Sequence, residues 1–234
     1  FVGRTSIAIG LGLGMVASVG QLVTGHASAV TVAEHQPAKL AAFEGIYESG
    51  TNADLTVFGW VDEENRTVHG IRVPGLLSLM VGGSRDTFIK GLNDIPVDER
   101  PPVQASFQLY HLMIAIGMTL IALSWVGGLL AWRGVLYRSR RLLWVMVFAV
   151  LLPQVANQVG WAAAEIGRQP WIVYGLMRTA DAVSPTLAPG QVLFSLILFT
   201  VIYLALFILF FVLLDQKIRQ GPHAHPAPGA GEVH

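Results

Sequence analysis

Cysteine is absent from the 234 residues. That excludes disulfides, thiolate ligation of a haem, and iron–sulfur clusters built by this chain. Charge is scarce: 13% of residues are Asp, Glu, Lys or Arg, and the formal net charge is zero. No basic patch is interleaved with aromatics, so nucleic acid is set aside as a partner. There is no Ser–His–Asp set, no zinc-ligand spacing, no phosphate-binding loop and no internal repeat. The apolar runs contain only His111, at an end, so paired histidines on membrane helices are missing too. The first apolar run has no basic cluster and no small-residue cleavage site, which argues against a cleavable leader.

Apolar residues are what the chain has in abundance. They make up 53% of it and the mean hydropathy is positive, the balance of a membrane protein. Four segments reach the ~20 apolar residues a bilayer requires. They are Thr5–Thr24, Ser106–Trp132, Leu142–Ala164 and Gln191–Leu214. The expectation is an all-α membrane protein with four transmembrane helices and a long outer loop carrying a short helix and a β-hairpin. In residue numbers this divides into a helix over 1–25, an outer loop over 26–104 and a helix over 105–133. An Arg-rich cytoplasmic loop over 134–141, a helix over 142–171 and an outer loop over 172–190 follow. A helix over 191–215 and a disordered cytoplasmic tail over 216–234 complete it. Because the chain begins at Phe1, directly before an apolar run, a fragment or one piece of a larger subunit is expected.

The charges orient these segments. Arg133, Arg138, Arg140 and Arg141 crowd one short connection, Lys217 and Arg219 follow the last span, and Arg4 precedes the first. Only Asp215 and Glu232 oppose them, whereas the other side holds eight bases against thirteen acids. The positive-inside rule places the Arg-rich side and both termini in the cytoplasm and the two long loops outside.

The loop before Val103 is too patterned for a linker. Pro37 suits the first turn of a short helix running through Lys39 to Glu44. TVFGW and TVHGIRV flank the polar DEENR and read as a hairpin. GLLSLM reads as a short surface helix, and NDIPVDERPPV as an extended lead into the second span. In the first span, Gly10 and Gly14 are four apart, the spacing of a small-residue helix contact. His223, His225 and His234 lie in the Gly/Pro/Ala tail, where a solvated segment is the plain reading and weak metal binding the alternative.

The most informative stretch is Gln154–Trp171, at the end of the third span. Gln154, Asn157, Gln158, Trp161, Glu165 and Arg168 fall on one narrow stripe of a helix whose other faces are apolar. Ionisable groups in a span are costly and mark a functional site by default, although a polar helix seam or a snorkelling Glu–Arg pair has the same pattern. Glu165 can act as a metal ligand or a proton carrier, and its burial raises its pKa unless Arg168 or a metal offsets it. On the second span, Met113, Gly117, Leu120 and Ser124 share a face that suits a flat group with a thioether ligand, or simple packing. His111 points away from that face by about 160°. Lys39 and Glu44 sit about 140° apart on their helix and do not pair as helix neighbours. They either belong to a solvated helix or form a head-group site, Glu44 accepting a proton and Lys39 donating a hydrogen bond.

Together these motifs resemble subunit I of the cytochrome bd quinol oxidases. The resemblance rests on GWAAAEIGRQPW (Gly160–Trp171), HQPAKLAAFEG (His35–Gly45), HLMIAIG (His111–Gly117), PGLLSLM and GLND. It covers the C-terminal half of such a subunit, of the short quinol-loop type. It implies a quinol:oxygen oxidoreductase component of a respiratory chain in the bacterial cytoplasmic membrane. Met113 would be an axial ligand of a low-spin haem b. Glu165 would ligate or stand beside a high-spin haem, with haem d the expected chlorin alongside haem b. Arg168 would neutralise charge there, Trp161 would pack between haems, and Lys39 and Glu44 would bind and deprotonate quinol. His111 stands where the family often has Arg, which makes a charge that helps hold a haem pH-dependent. The implied partners are quinol, O2, lipid, the N-terminal part of subunit I, subunit II and a small single-helix subunit. The rival readings are a non-catalytic helical transporter or anchor, and another quinol-linked cytochrome b.

Overall fold

The computed structural model describes residues 2–184 and 186–221. The chain divides into two units, Phe1–Ala182 and Val183–His234. The predicted tail and its three histidines lie outside the described residues.

The first unit opens with α1 (Val2–His35), longer than the apolar run alone predicts, followed at once by α2 (Pro37–Glu44). Strands β1 (Leu55–Asp62) and β2 (Thr67–Val73) form the antiparallel hairpin, with Val61 opposite Val68 and Leu55 opposite Val73. Asp62 closes its turn by accepting from Asn65 N at 2.9 Å and Asn65 Nδ2 at 2.8 Å, the local bonding that makes Asp a turn former. Next come α3 (Leu76–Gly82) and two 3-10 turns, Leu92–Asp94 and Val97–Glu99, where the sequence predicts an extended lead. Pro96 does not stop the chain from turning on both sides of it.

Helix α4 (Val103–Trp132) packs against α1 and against the third span. The contact with α1 uses small residues on both helices. A Cβ at Gly14 would stand 2.8 Å from Ser124 Oγ, and Met15 presses on Gly128. Trp125 Nε1 donates to Ser18 Oγ at 2.9 Å across the same interface. Gly10 and Gly12 have no neighbour within 4 Å, so the expected Gly10–Gly14 pair contributes only Gly14.

The third span is two helices, α5 (Arg140–Ala149) and α6 (Leu152–Ile166), rather than the single one predicted over 142–171. Pro153 accounts for the break. It lacks the N–H that would bond the carbonyl four residues back, and that residue is Ala149, where α5 ends. After Ile166 the chain turns and forms the short hairpin β3 (Trp171–Val173) and β4 (Met177–Arg178), which the sequence reading missed. Arg178 ties this hairpin to the lead of α4 through Asp98 at 2.7 Å and Glu99 at 3.8 Å. The second unit holds α7 (Pro189–Gln220).

The core sits in the loop, not between the spans. Ala38, Ala41, Ala42, Tyr47, Val61, Val68, Leu92, Ile95, Val103 and Phe107 form the main buried cluster. By contrast, at most 11% of any spanning window is buried. Water drives apolar side chains together in the loop, whereas lipid tails exert no such force on apolar faces within a bilayer. Among the described residues four helical segments are long and apolar enough to cross a membrane, and the chain is a multi-pass membrane protein.

Candidate functional site

Helix α2 organises the site. Pro37 occupies its first turn, and Gly45 ends it in the left-handed conformation at φ 66°, its N–H bonding Ala41 O. A side chain at Gly45 would also collide with Val68 Cγ2. The helix is wedged between α1, α4 and the hairpin, so six of its eight residues are buried.

Phe43 is the hub. Its ring stacks on Tyr110 of α4 with centroids 4.4 Å apart. Its edge lies where a Cβ on Gly167, just past α6, would come within 2.7 Å. Lys39 Nζ stands 5.7 Å from the ring centroid. One phenyl ring thus joins the loop helix, the Met113 helix and the end of the polar stripe.

Glu44 is buried on the hairpin side, with 2% of its surface exposed. Thr56 N donates to Glu44 Oε2 at 3.3 Å, and Thr56 Oγ1 donates to Glu44 O at 3.3 Å. Burial pushes the carboxyl from an ordinary 4.5 up to about 7, against the opposing pull of the Thr56 N–H. Glu44 lines a polar cavity of about 630 Å³ together with Glu48, Asp54, Arg66 and Arg72. Lys39 faces the other way. Burial and the Arg168 guanidinium lower its pKa, and Glu165 opposes them. The two residues are therefore not two contacts on one side of α2, as their spacing already implies. Lys39 addresses the end of α6, and Glu44 addresses the hairpin and α4.

Glu165 and Arg168 form an ion pair, with 40% and 35% of their side chains exposed. The chain's own packing does not bury Glu165, contrary to the sequence expectation. Arg168 lies beyond the last turn of α6, and its Nε is buried without a hydrogen-bond partner, as is Trp171 Nε1. Gln154, Asn157, Gln158 and Trp161 are exposed, Trp161 at 66%. Within the first unit, the polar stripe is thus not a seam between helices.

On α4, a Cβ at Gly160 of α6 would stand 2.5 Å from Met113 Sδ, so the sulfur lies against the backbone of α6. Gly117 has open space where its Cβ would be, while Ser124 on the same face is taken up by Gly14. His111 has both ring nitrogens engaged, Nδ1 at 2.9 Å from Phe107 O and Nε2 at 2.9 Å from Thr56 O. Neither is free for iron. Among the described residues no group of three or more His, Asp or Glu side chains is placed to hold a metal ion.

Phe43, Tyr110 and Thr56 complete the arrangement and were missed by the sequence reading. Phe43 and Tyr110 sit in apolar stretches without distinguishing pattern. Thr56 acts largely through its main chain, which leaves no sequence signature.

The fold is that of a multi-pass helical membrane protein whose long loop packs on the spans. The family model for the cytochrome bd terminal oxidase subunit I matches residues 2–222, and the chain belongs to that family. It is 36% identical over 230 residues to the cytochrome bd ubiquinol oxidase subunit 1 of Bacillus subtilis (strain 168), covering 93% of this chain and 49% of that protein. A second relative from the same organism, a putative cytochrome bd menaquinol oxidase subunit I, is 34% identical over 207 residues, covering 87% and 45%. The structure of bd oxidase from Geobacillus thermodenitrificans aligns with a TM-score of 0.77 at 32% identity, covering 94% of this chain and 50% of that one. The chain spans about half the length of the relatives it matches.

Proposed function

We propose that this chain is the quinol-oxidising part of a bd-type quinol:oxygen oxidoreductase, working with the other half of subunit I, subunit II and a small single-helix subunit. The observation that carries the reading is α2 itself. One short helix presents a buried carboxyl with a pKa of about 7 and a half-buried lysine, and it packs on both the Met113 helix and the Glu165–Arg168 end of α6.

Oxidising a quinol removes two electrons and two protons. Glu44, ionised, accepts a hydroxyl proton, and its raised pKa makes it a base matched to neutral pH. Lys39 orients a quinol oxygen by hydrogen bonding, its pKa lowered by burial and by Arg168. Phe43, buried between them, fixes both residues against α4 and the end of α6. The polar cavity beside Glu44 gives its proton a route away from the spans.

The donors present fit haem. Met113 offers a thioether and would hold the iron of a low-spin haem b. Glu165 offers a carboxylate to a high-spin haem b or haem d. The unpartnered Nε of Arg168 is free for a haem propionate, and exposed Trp161 offers a ring for packing. Haem, when bound, supplies the one-electron carriers and the iron that receives O2. The charge asymmetry of the loops supports a quinol site on the outer face with both termini in the cytoplasm. Releasing quinol protons outside while drawing oxygen-reduction protons from inside would build a gradient without a pump.

The test is made on the assembled complex. Lys39→Ala and Glu44→Gln should slow quinol oxidation while the reduced-minus-oxidised spectrum keeps its haem bands, and Glu165→Ala should disturb a high-spin haem band. No haem signal in the wild-type complex would overturn the reading in favour of a transporter or anchor.

A further inference from the structure

The proposed function assigns no role to His111, yet its side chain is the best-anchored polar group of α4. It is 9% exposed and stacks on Phe107 with centroids 4.0 Å apart. It sits edge-on to Tyr110 at 5.6 Å. Nδ1 lies 2.9 Å from Phe107 O within α4, and the second bond, in the Nε2–H tautomer, is donated to Thr56 O on β1. The second bond joins residues 55 apart in sequence.

Thr56 lies where β1 leaves its regular ladder, at a bulge between Thr56 and Phe58. Bulges re-aim the groups around them. Here both main-chain polar groups of Thr56 bond to side chains, its C=O accepting from His111 and its N–H donating to Glu44 Oε2. Thr56 is a bracket, its two flanking peptides joined at Cα, with the histidine on one end and the buried acid on the other.

We propose that His111 is a positioning residue of the quinol site: by holding the Thr56 carbonyl it aims the Thr56 N–H at Glu44, and so locks the acid to the helix that carries Met113. This rests on the quinol reading above. His111 does not touch substrate; it acts through Thr56. The other titratable groups near Glu44 are Tyr110 of α4, Arg72 of β2, and Glu48, Asp54 and Arg66 across the cavity, with Lys39 on the far side of α2. None of their side chains bonds Thr56's main chain.

The test compares His111→Phe, which keeps the stacking ring and loses the donor to Thr56 O, with His111→Arg, which restores N–H donors, and with Glu44→Gln, all in the complete complex. A short-chain quinol and ascorbate with tetramethylphenylenediamine, which bypasses the quinol site, serve as alternative reductants. His111→Phe should lower quinol-driven kcat by roughly tenfold, the scale of one lost buried hydrogen bond. The acidic limb of its pH profile should move to higher pH, because the Thr56 N–H no longer favours the Glu44 carboxylate. Haem content and diamine-driven turnover should stay at wild-type level, and His111→Arg should recover both the rate and the limb. An unmoved limb in His111→Phe, with Glu44→Gln inactive toward quinol, overturns this inference alone. Loss of haem or of assembly in His111→Phe that His111→Arg does not reverse also overturns it. Glu44→Gln with wild-type quinol turnover overturns the quinol reading itself.

Discussion

Glu44→Gln should remove a pH-dependent instability from the long loop. Glu44 is almost fully buried and titrates at about 7, compared with 4.5 when solvated. A carboxyl whose pKa is raised by folding stabilises the fold relative to its ionised state at low pH. That contribution is full below pH 4.5 and is lost as pH climbs through about 7. The interval of about 2.5 pH units is worth about 3 kcal/mol over the whole titration, at about 1.4 kcal/mol per unit. Between pH 5 and pH 8 most of it is spent, about 2–3 kcal/mol, equivalent to a roughly fifty- to hundredfold rise in local opening. Hydrogen exchange on the intact complex reads this directly. Protection of α2 and β1 amides, normalised for intrinsic exchange, should fall by that factor from pH 5 to pH 8 in the wild type. In Glu44→Gln it should stay level, because the amide keeps an acceptor for Thr56 N and carries no charge. Equal pH dependence in the two proteins, or none in the wild type, would refute the assignment of a buried, titrating carboxyl.

The same titration governs activity in the opposite sense. The base must be ionised, so quinol turnover should rise as pH climbs through about 7, measured as kcat over pH 5–9. Phe43→Ala should cost about 3–5 kcal/mol as a buried aromatic truncation, seen as loss of α2 protection, and Phe43→Leu should cost less. Gly45→Ala should cost about 1–2 kcal/mol from the left-handed backbone alone, and more from the collision with Val68, lowering the thermal midpoint of the complex. Met113→Leu keeps the packing volume against Gly160 but removes the sulfur, so low-spin haem b absorbance should be lost while assembly persists.

The secondary structure was largely legible. Pro37 and Gly45 bracket α2 by backbone chemistry that any chain obeys, and the alternation on either side of DEENR produces the hairpin. Pro153 was equally legible as a helix breaker but was read through, because the hydropathy of the span continues across it. Of the candidate site, the residue types could be read from the sequence and their companionship could not. The 140° between Lys39 and Glu44 implied two directions, and only packing set one toward Arg168 and the other toward Thr56.

By itself the sequence determined the class of protein: four apolar runs long enough to cross a bilayer, a loop too patterned to be idle, and a polar stripe too costly to be accidental. Periodicity and hydropathy are properties of neighbours along the chain, so they survive without a fold. The tertiary structure decided that Phe43 joins three elements, that Glu44 is buried rather than solvated, and that His111 meets a peptide carbonyl of β1. Each depends on contacts between distant residues or on main-chain groups that every residue possesses, and neither leaves a mark in the order of side chains.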